Sequence, residues 1–518
     1  MKRYLFYGML ILLLPLRALA QGEELGVIKG DCTPGLFDGP ENTHRALRRL
    51  ATPNKSWDKD KVYHQLVILF SFSDTEFLEG HTKAYYEKIL NQAGYNEGNG
   101  PGCMADYYRA QSNGLFNLQF EVYGPYKVSS KACPYDSPNE KTRYYGRDAM
   151  EEATQLFLAE HPEIDFSQYD WNGNGSVNQV IFINAGMSGN ISSAVSYGHI
   201  WPNTSSFSTI TAPDGKKISS YTVSAEYFST TRPCGIGTIC HEFTHSLGLP
   251  DIYSTTTGDP VCDEWDLMDG GNFTNFGWCP PNYTALEKYL LGWVEFTELD
   301  DATSIADLKP VSEGGEVYRI KHSDSEWLLL ENRQQNDWDA GAPGKGLVIY
   351  HVNYDASVWK GNSVNNDKTK RRFHLVHADN MDYDAWADYI SAKGLSSYAN
   401  NPRMNRRHLS TSPYPYSSGD VVNNELTDTS TPSAVMYYPD GSLLGKPITN
   451  IQMSGGLISF DFMKPSTGIT MPVRQFISGE QQVYDLSGRM VKAPQSGHVY
   501  IFRNADGTTY KQIQHHAK

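Results

Sequence analysis

The segment His241-Glu242-Phe243-Thr244-His245-Ser246-Leu247-Gly248-Leu249-Pro250-Asp251 holds the most chemistry in this 518-residue chain. On a helix His241 and His245 stand one turn apart on one face, so both imidazoles reach one metal ion. Glu242 then lies beside that ion, placed to take a proton from water rather than to ligate the metal. Imidazole nitrogen and carboxylate oxygen suit zinc, and three protein ligands leave a fourth position open, as hydrolytic zinc sites require. Gly248 turns the chain back and Asp251 stands where a third ligand is needed. Trp265-Asp266-Leu267-Met268 supplies a candidate Met-turn, with Met268 as an apolar floor that does no chemistry.

The stretch Thr238 to Trp293 resembles the immune inhibitor A group of metallopeptidases, peptidase family M6. The resemblance rests on the run from His241 to Asp251, on Glu264-Trp265-Asp266-Leu267-Met268 and on Leu291-Gly292-Trp293. It extends to Ala105-Asp106-Tyr107-Tyr108 with Phe116-Asn117, to Gly198-His199-Ile200-Trp201-Pro202, and further on to Glu331-Asn332-Arg333 and Gly346 to Val352. It implies a metzincin-type site holding one catalytic Zn2+, with His241, His245 and Asp251 as ligands and Glu242 as general base and acid. The implied activity is a zinc-dependent endopeptidase acting on extracellular proteins. Aspartate departs from the histidine commoner at the third position. The rival ligand is Glu264, which would make the site thermolysin-like, but it lies in a Gly/Asp/Asn-rich stretch without helical pattern. Metzincins often place a stabilising tyrosine near the Met-turn; Gly270 occupies that position here, and Tyr283 is the nearest candidate.

The elements that must position these groups read as α/β in the first half. Thr238 is the expected N-cap of the metal helix, Gly248 and Pro250 its stop, and Ile239, Phe243 and Leu247 its core face. Gln65 to Phe72 and Val177 to Asn184 read as buried strands, Leu118 to Tyr123 as an alternating one, and Tyr221 to Tyr227 as an edge for substrate pairing or an ordinary core strand. His81 to Leu90 and Asp148 to Glu160 read as helices. The expected fold is a mixed twisted sheet with an active-site helix, spanning residues 61–299. Beyond it, Val317 to Lys321, Trp327 to Glu331, Leu347 to Val352, Phe373 to His377 and Leu457 to Phe462 suggest an all-β, sandwich-like accessory domain at 300–464. His351 and His377 lie in these apolar runs and read as buried, hydrogen-bonded residues.

Residues 1–20 read as an export signal, with Lys2 and Arg3, an apolar Leu5 to Leu14 and Ala18-Leu19-Ala20. Residues 21–60 read as a leader or short pro-segment. Residues 465–518 form a small β unit whose Val483-Tyr484-Asp485-Leu486-Ser487-Gly488-Arg489 and Val499 to Arg503 resemble the C-terminal sorting tails of exported Bacteroidota proteins. That resemblance implies contact with type IX secretion machinery and a secreted or outer-surface location. Loss of Lys2, Arg3 and Arg17 with the signal moves the formal charge from −15 to −18, which excludes a nucleic-acid binder. No stretch is long and apolar enough to span a membrane.

Seven cysteines include none in a Cys-x-x-Cys pair. Export favours disulfides, and Cys103, Cys133, Cys234, Cys240, Cys262 and Cys279 are enough for three bridges. Cys32 is left over, with a latency thiol or a structural cysteine as the two readings. Asp170, Asn172 and Asn174 sit at alternate positions of Asp170-Trp171-Asn172-Gly173-Asn174-Gly175 and suggest a Ca2+ loop, although Ile181 stands where its bidentate glutamate belongs. A plain Asx turn is the other reading. Against the peptidase stands a surface binding protein with a structural zinc; a general base at Glu242 has no use in such a site.

Overall fold

The computed structural model describes residues 50, 52–54, 56–135, 144–190, 198–394, 408–419, 421–437 and 441–464, and, near the C-terminus, 482–484, 491, 499–503 and 509–513. The expected signal at 1–20, Cys32 and residues 485–489 of the tail motif lie outside the described residues. The chain divides into two compact units, Met1–Lys464 and Pro465–Lys518.

Strands β1 (Val62–Ser71), β2 (Asn117–Lys127), β3 (Val180–Met187), β4 (Asn203–Thr211), β5 (Lys217–Ser229) and β6 (Arg232–Pro233) form one mixed sheet in the order β2-β1-β3-β5-β4, with β6 on β5. The pairs β2-β1, β1-β3 and β3-β5 are parallel, and β4 returns antiparallel to β5. The apolar run in β1 follows from its central place. Leu66, Ile68 and Phe70 enter one core while Val67 and Leu69 enter the other, so both faces must be apolar. Helix α3 (Arg147–Glu160) covers the first face through Ala149, Met150, Ala153 and Phe157. Helices α1 (Lys83–Asn91), α2 (Met104–Gln111), α4 (Gly237–Leu247) and α5 (Ala285–Leu291) pack into the second.

The strand containing Tyr221–Tyr227 is interior: β3 pairs with one edge of it, and β4 up to Val223 and β6 at Tyr227 take the other. Of the two readings of this segment, this pairing fits the ordinary core strand, and β4 is the edge of the sheet.

Beyond residue 297 come β7 (Thr297–Glu298), β8 (Thr303–Leu308), β9 (Tyr318–Lys321), β10 (Glu326–Arg333), β11 (Gly346–Asn353), α6 (Ala356–Lys360) and β12 (Phe373–Leu375). A five-stranded sheet runs β12-β11-β10-β9-β7, and β8 joins strands Ile448–Ser454 and Leu457–Phe462 in a three-stranded sheet. The larger sheet is a shared wall. Leu328, Leu330, Leu347 and Ile349 face the three-stranded sheet, whereas Trp327, Leu329, Val348 and Tyr350 enter the core that holds α4. Packing therefore continues across residue 300 without a break. A helix absent from the sequence reading, Tyr383–Ala392, also lies in this region. In the C-terminal unit, Gln482–Tyr484, Val499–Arg503 and Thr509–Ile513 form an antiparallel three-stranded sheet.

No disulfide joins the six described cysteines to one another, contrary to the expected bridges. The cysteines are used as small apolar or capping groups instead. Cys103 caps α2, its sulfur accepting the Asp106 N–H at 3.4 Å, and Cys240 is wholly buried within α4.

Candidate metal centre

Helix α4 begins one residue before the expected N-cap. Ile236 occupies the cap without a side-chain hydrogen bond, and Thr238 is buried inside the first turn. Close packing sets this start: a Cβ on Gly237 would stand 2.1 Å from the Asn272 carbonyl oxygen. The helix ends where the sequence indicates. Gly248 takes φ +110°, a left-handed conformation that costs glycine little, and its N–H closes on the Thr244 and His245 carbonyls. The reversed chain then brings Asp251 back to the two histidines.

Three ligand atoms converge there. The Asp251 Oδ1 lies 3.2 Å from the His241 Nε2 and 3.2 Å from the His245 Nε2. All three side chains are buried, and these three atoms lack a hydrogen-bond partner of good geometry. Both histidines are held in one tautomer, because Nδ1–H donates to a carbonyl in each: Leu267 at 2.7 Å for His241 and Leu249 at 2.9 Å for His245. Each Nε2 therefore presents its lone pair to the common point. Two imidazoles and one carboxylate, buried and converging on one point, fit a zinc ion. This is the one such group of histidine, cysteine and acid side chains among the described residues.

The carbonyl end of Glu242 is fixed by β4 and β5, since Thr204 Oγ1 donates to it and Thr222 Oγ1 reaches it at 3.4 Å. The segment Trp265–Met268 passes beneath the ligands through its backbone. Leu267 receives His241, and the Met268 carbonyl accepts the Ile252 N–H at 2.8 Å, one residue after Asp251. Met268 itself is fully buried. Asp266 and Asp269 tie this turn internally. Asp266 Oδ1 accepts the Met268 N–H at 2.7 Å, and Asp269 Oδ2 accepts the N–H groups of Val261, Cys262 and Asp263 at 2.8–2.9 Å. Burial pushes the Asp269 carboxyl up to about 7, with the Asp263 charge adding to it.

One residue unseen in the sequence touches a ligand directly. Asn362, just after α6, donates from Nδ2 to the Asp251 Oδ2 at 2.7 Å and accepts the Asp251 N–H on Oδ1 at 2.8 Å. Position 362 is 111 residues away, so only the fold reveals it. The rival ligand Glu264 lies in a short 3-10 turn, Asp263–Trp265, and stays outside the ligand cluster. Tyr283 does not face the ligands either. Its hydroxyl is hydrogen-bonded to Thr244 Oγ1 within the core, where Tyr107 and Trp293 pack against the ring. The loop Asp170 to Gly175 closes on the Asp170 side chain, and Asn174 Oδ1 accepts the Ser176 N–H at 3.0 Å as an Asx turn. The Asp170 carboxylate takes the Asn174 and Gly175 N–H groups at 2.9 and 2.8 Å and the Lys216 ammonium at 2.7 Å.

Residues 50–289 match the family model described as "Immune inhibitor A peptidase M6, catalytic domain". Immune inhibitor A of Bacillus thuringiensis subsp. alesti is 27% identical over 383 residues, covering 63% of this chain and 53% of that protein. Pre-pro-metalloprotease PrtV of Vibrio cholerae is 24% identical over 265 residues, covering 45% of this chain and 28% of that protein. The chain thus spans about half, or less, of the length of these relatives.

Proposed function

We propose, for a chain whose residues 50–289 form a peptidase domain of the M6 family, the function of a zinc-dependent endopeptidase that hydrolyses peptide bonds in extracellular proteins. The observation that carries this reading is the buried convergence of the His241 Nε2, the His245 Nε2 and the Asp251 Oδ1, each without a protein partner of good geometry. When bound, zinc lowers the pKa of water from about 15.7 towards 7 and polarises the scissile carbonyl.

The chain's own residues do the rest. His241, His245 and Asp251 hold the ion, oriented by the Leu267 and Leu249 carbonyls and by Asn362. Glu242, anchored by Thr204, accepts a proton from the attacking water and returns it to the leaving amine. Met268 closes the site from below. The edge strand β4 receives an extended substrate backbone by β-addition, because its outer side is free of sheet partners among the described residues and it touches the helix that bears Glu242.

Export through the 1–20 signal and recognition of the 465–518 tail by type IX machinery belong to the same proposal, supported by the sequence patterns alone. Among the described residues no helix is long and apolar enough to cross a membrane. The test is cleavage of casein or fibrinogen by the purified chain, with zinc, with chelator, and with Glu242→Ala. Cleavage that survives both chelation and that substitution overturns the mechanism.

A further inference from the structure

We infer that Asn362 is a positioning residue for the third metal ligand, so that the metal centre is completed from outside the segment matching the peptidase domain. The inference rests on the zinc reading above. It concerns how Asp251 is aimed, not whether zinc binds.

The geometry is a closed two-bond ring between one carboxamide and one residue. Nδ2 of Asn362 donates to the Asp251 Oδ2 at 2.7 Å and Oδ1 accepts the Asp251 N–H at 2.8 Å. With Oδ2 engaged, only Oδ1 remains, and it is this atom that stands 3.2 Å from both imidazoles. The carboxylate is therefore turned to present a single oxygen. A carboxylate free to rotate would offer either oxygen and lose that orientation on each rotation.

Asn362 is itself held firmly. It is buried, and its carbonyl accepts the Thr255 Oγ1 at 2.9 Å. Asn365 donates to the Ile252 carbonyl at 2.7 Å, and its Oδ1 takes the Arg372 and Phe373 N–H groups at 2.9 and 3.1 Å. Asn366 bonds Thr255 at 3.0 Å. Three asparagines thus form a strap that runs along residues 251–255 and is rooted in β12.

Asn362 has φ +56°, a left-handed conformation that asparagine tolerates, and this alone would account for its residue type. Backbone preference does not require the carboxamide to face Asp251 with both ends, and glycine separates the two roles. Asn362→Gly keeps the left-handed turn and removes the ring. Asn362→Asp keeps shape and acceptor but sets a second carboxylate against Asp251.

The experiment uses the full chain in the apo form. Zinc affinity is measured by competition with a chromophoric chelator, and the Co2+-substituted protein by its visible ligand-field spectrum. Outer ligand-orienting groups typically contribute 10–100-fold in metal affinity. Both variants are expected to bind zinc about 10–100-fold more weakly than wild type and to shift the Co2+ spectrum. Affinity within about two-fold of wild type with an unchanged spectrum, whatever the melting temperature does, overturns the inference. If His241→Ala also leaves zinc affinity unchanged, the metal centre itself is wrong, a separate failure. Should neither Asn362 variant fold, zinc addition to the wild-type apo chain must slow amide hydrogen exchange in 362–366 as well as in 251–255. Unaltered exchange in 362–366 likewise overturns the inference.

Discussion

Thr244 and Tyr283 share a hydroxyl–hydroxyl hydrogen bond on the core-facing flank of α4. Two residues on from Glu242, Thr244 lies about 200° round the helix from it, so Tyr283 cannot reach the side where the chemistry occurs. Tyr283→Phe should therefore leave kcat within a few-fold of wild type and lower stability by about 0.5–1.5 kcal/mol, the net worth of one hydrogen bond, since Thr244 keeps the Cys240 carbonyl at 2.6 Å. Thermal unfolding beside steady-state kinetics checks this. A fall in kcat of a hundred-fold with unchanged stability would return Tyr283 to the reaction.

Glu242→Gln should keep zinc and the native melting temperature while slowing peptide hydrolysis by about 10²–10⁴-fold, the usual contribution of a general base. Asp251→Asn should instead lose zinc, and Glu264→Gln should keep it. Metal content of the purified variants separates these outcomes.

Chelation should abolish cleavage and also lower stability, because the two imidazoles and the carboxylate are buried against one another with nothing between them. A ligand at 100 times its Kd stabilises the folded state by about 2.7 kcal/mol. Calorimetry with increasing free zinc should follow that logarithmic course, and readdition should restore both stability and activity.

The contribution of the buried Glu287–Asp266 pair to stability should fall as pH rises between about 5 and 7, against the opposite trend of the buried His374, His377 and His408. Burial pushes the Glu287 carboxyl up to about 7, and Asp266, which shares a hydrogen bond with it, is raised well above the usual range. A carboxyl raised in the folded state binds more protons there than in the unfolded chain. Its contribution is complete below the unfolded value and is lost as pH climbs through the folded one. Glu287→Gln keeps an acceptor for Thr284 and offers Asp266 a donor, so its denaturation midpoint should fall less, or rise more, than that of wild type over that interval. An equally steep profile in the variant would contradict the assignment.

The motif with Gly248 and Asp251 was readable because helical period and ligand spacing are local. So were β1 and α3, whose patterns follow from burial on two faces and on one. The remainder depends on distant parts of the chain. Asn362 meets Asp251 only after two sheets have packed, and nothing in its neighbourhood marks it. Interior placement of Tyr221–Tyr227 depended on β4, whose polar Asn203-Thr204-Ser205-Ser206 does not read as a strand. The lack of bridges among the six described cysteines followed from core packing, which spacing does not encode. One missed signal was local: Thr284-x-x-Glu287 is a capping box that opens α5.

Gly292 explains why Leu291-Gly292-Trp293 needs its glycine, and it bears on how the chain can be trimmed. A Cβ there would sit 1.7 Å from the Asn54 carbonyl oxygen, because the segment following Leu50 runs directly across the end of α5. The Asn54 N–H bonds the Leu290 carbonyl at 2.9 Å, the Trp57 indole reaches Leu291, and the Leu50 N–H meets the Gly248 carbonyl at 2.8 Å. Trimming from the amino end past Leu50 would therefore remove one bond to the turn that aims Asp251, and trimming past Trp57 would strip the end of α5 as well. A chain cut after Leu50 should thus melt at a lower temperature than one cut before it.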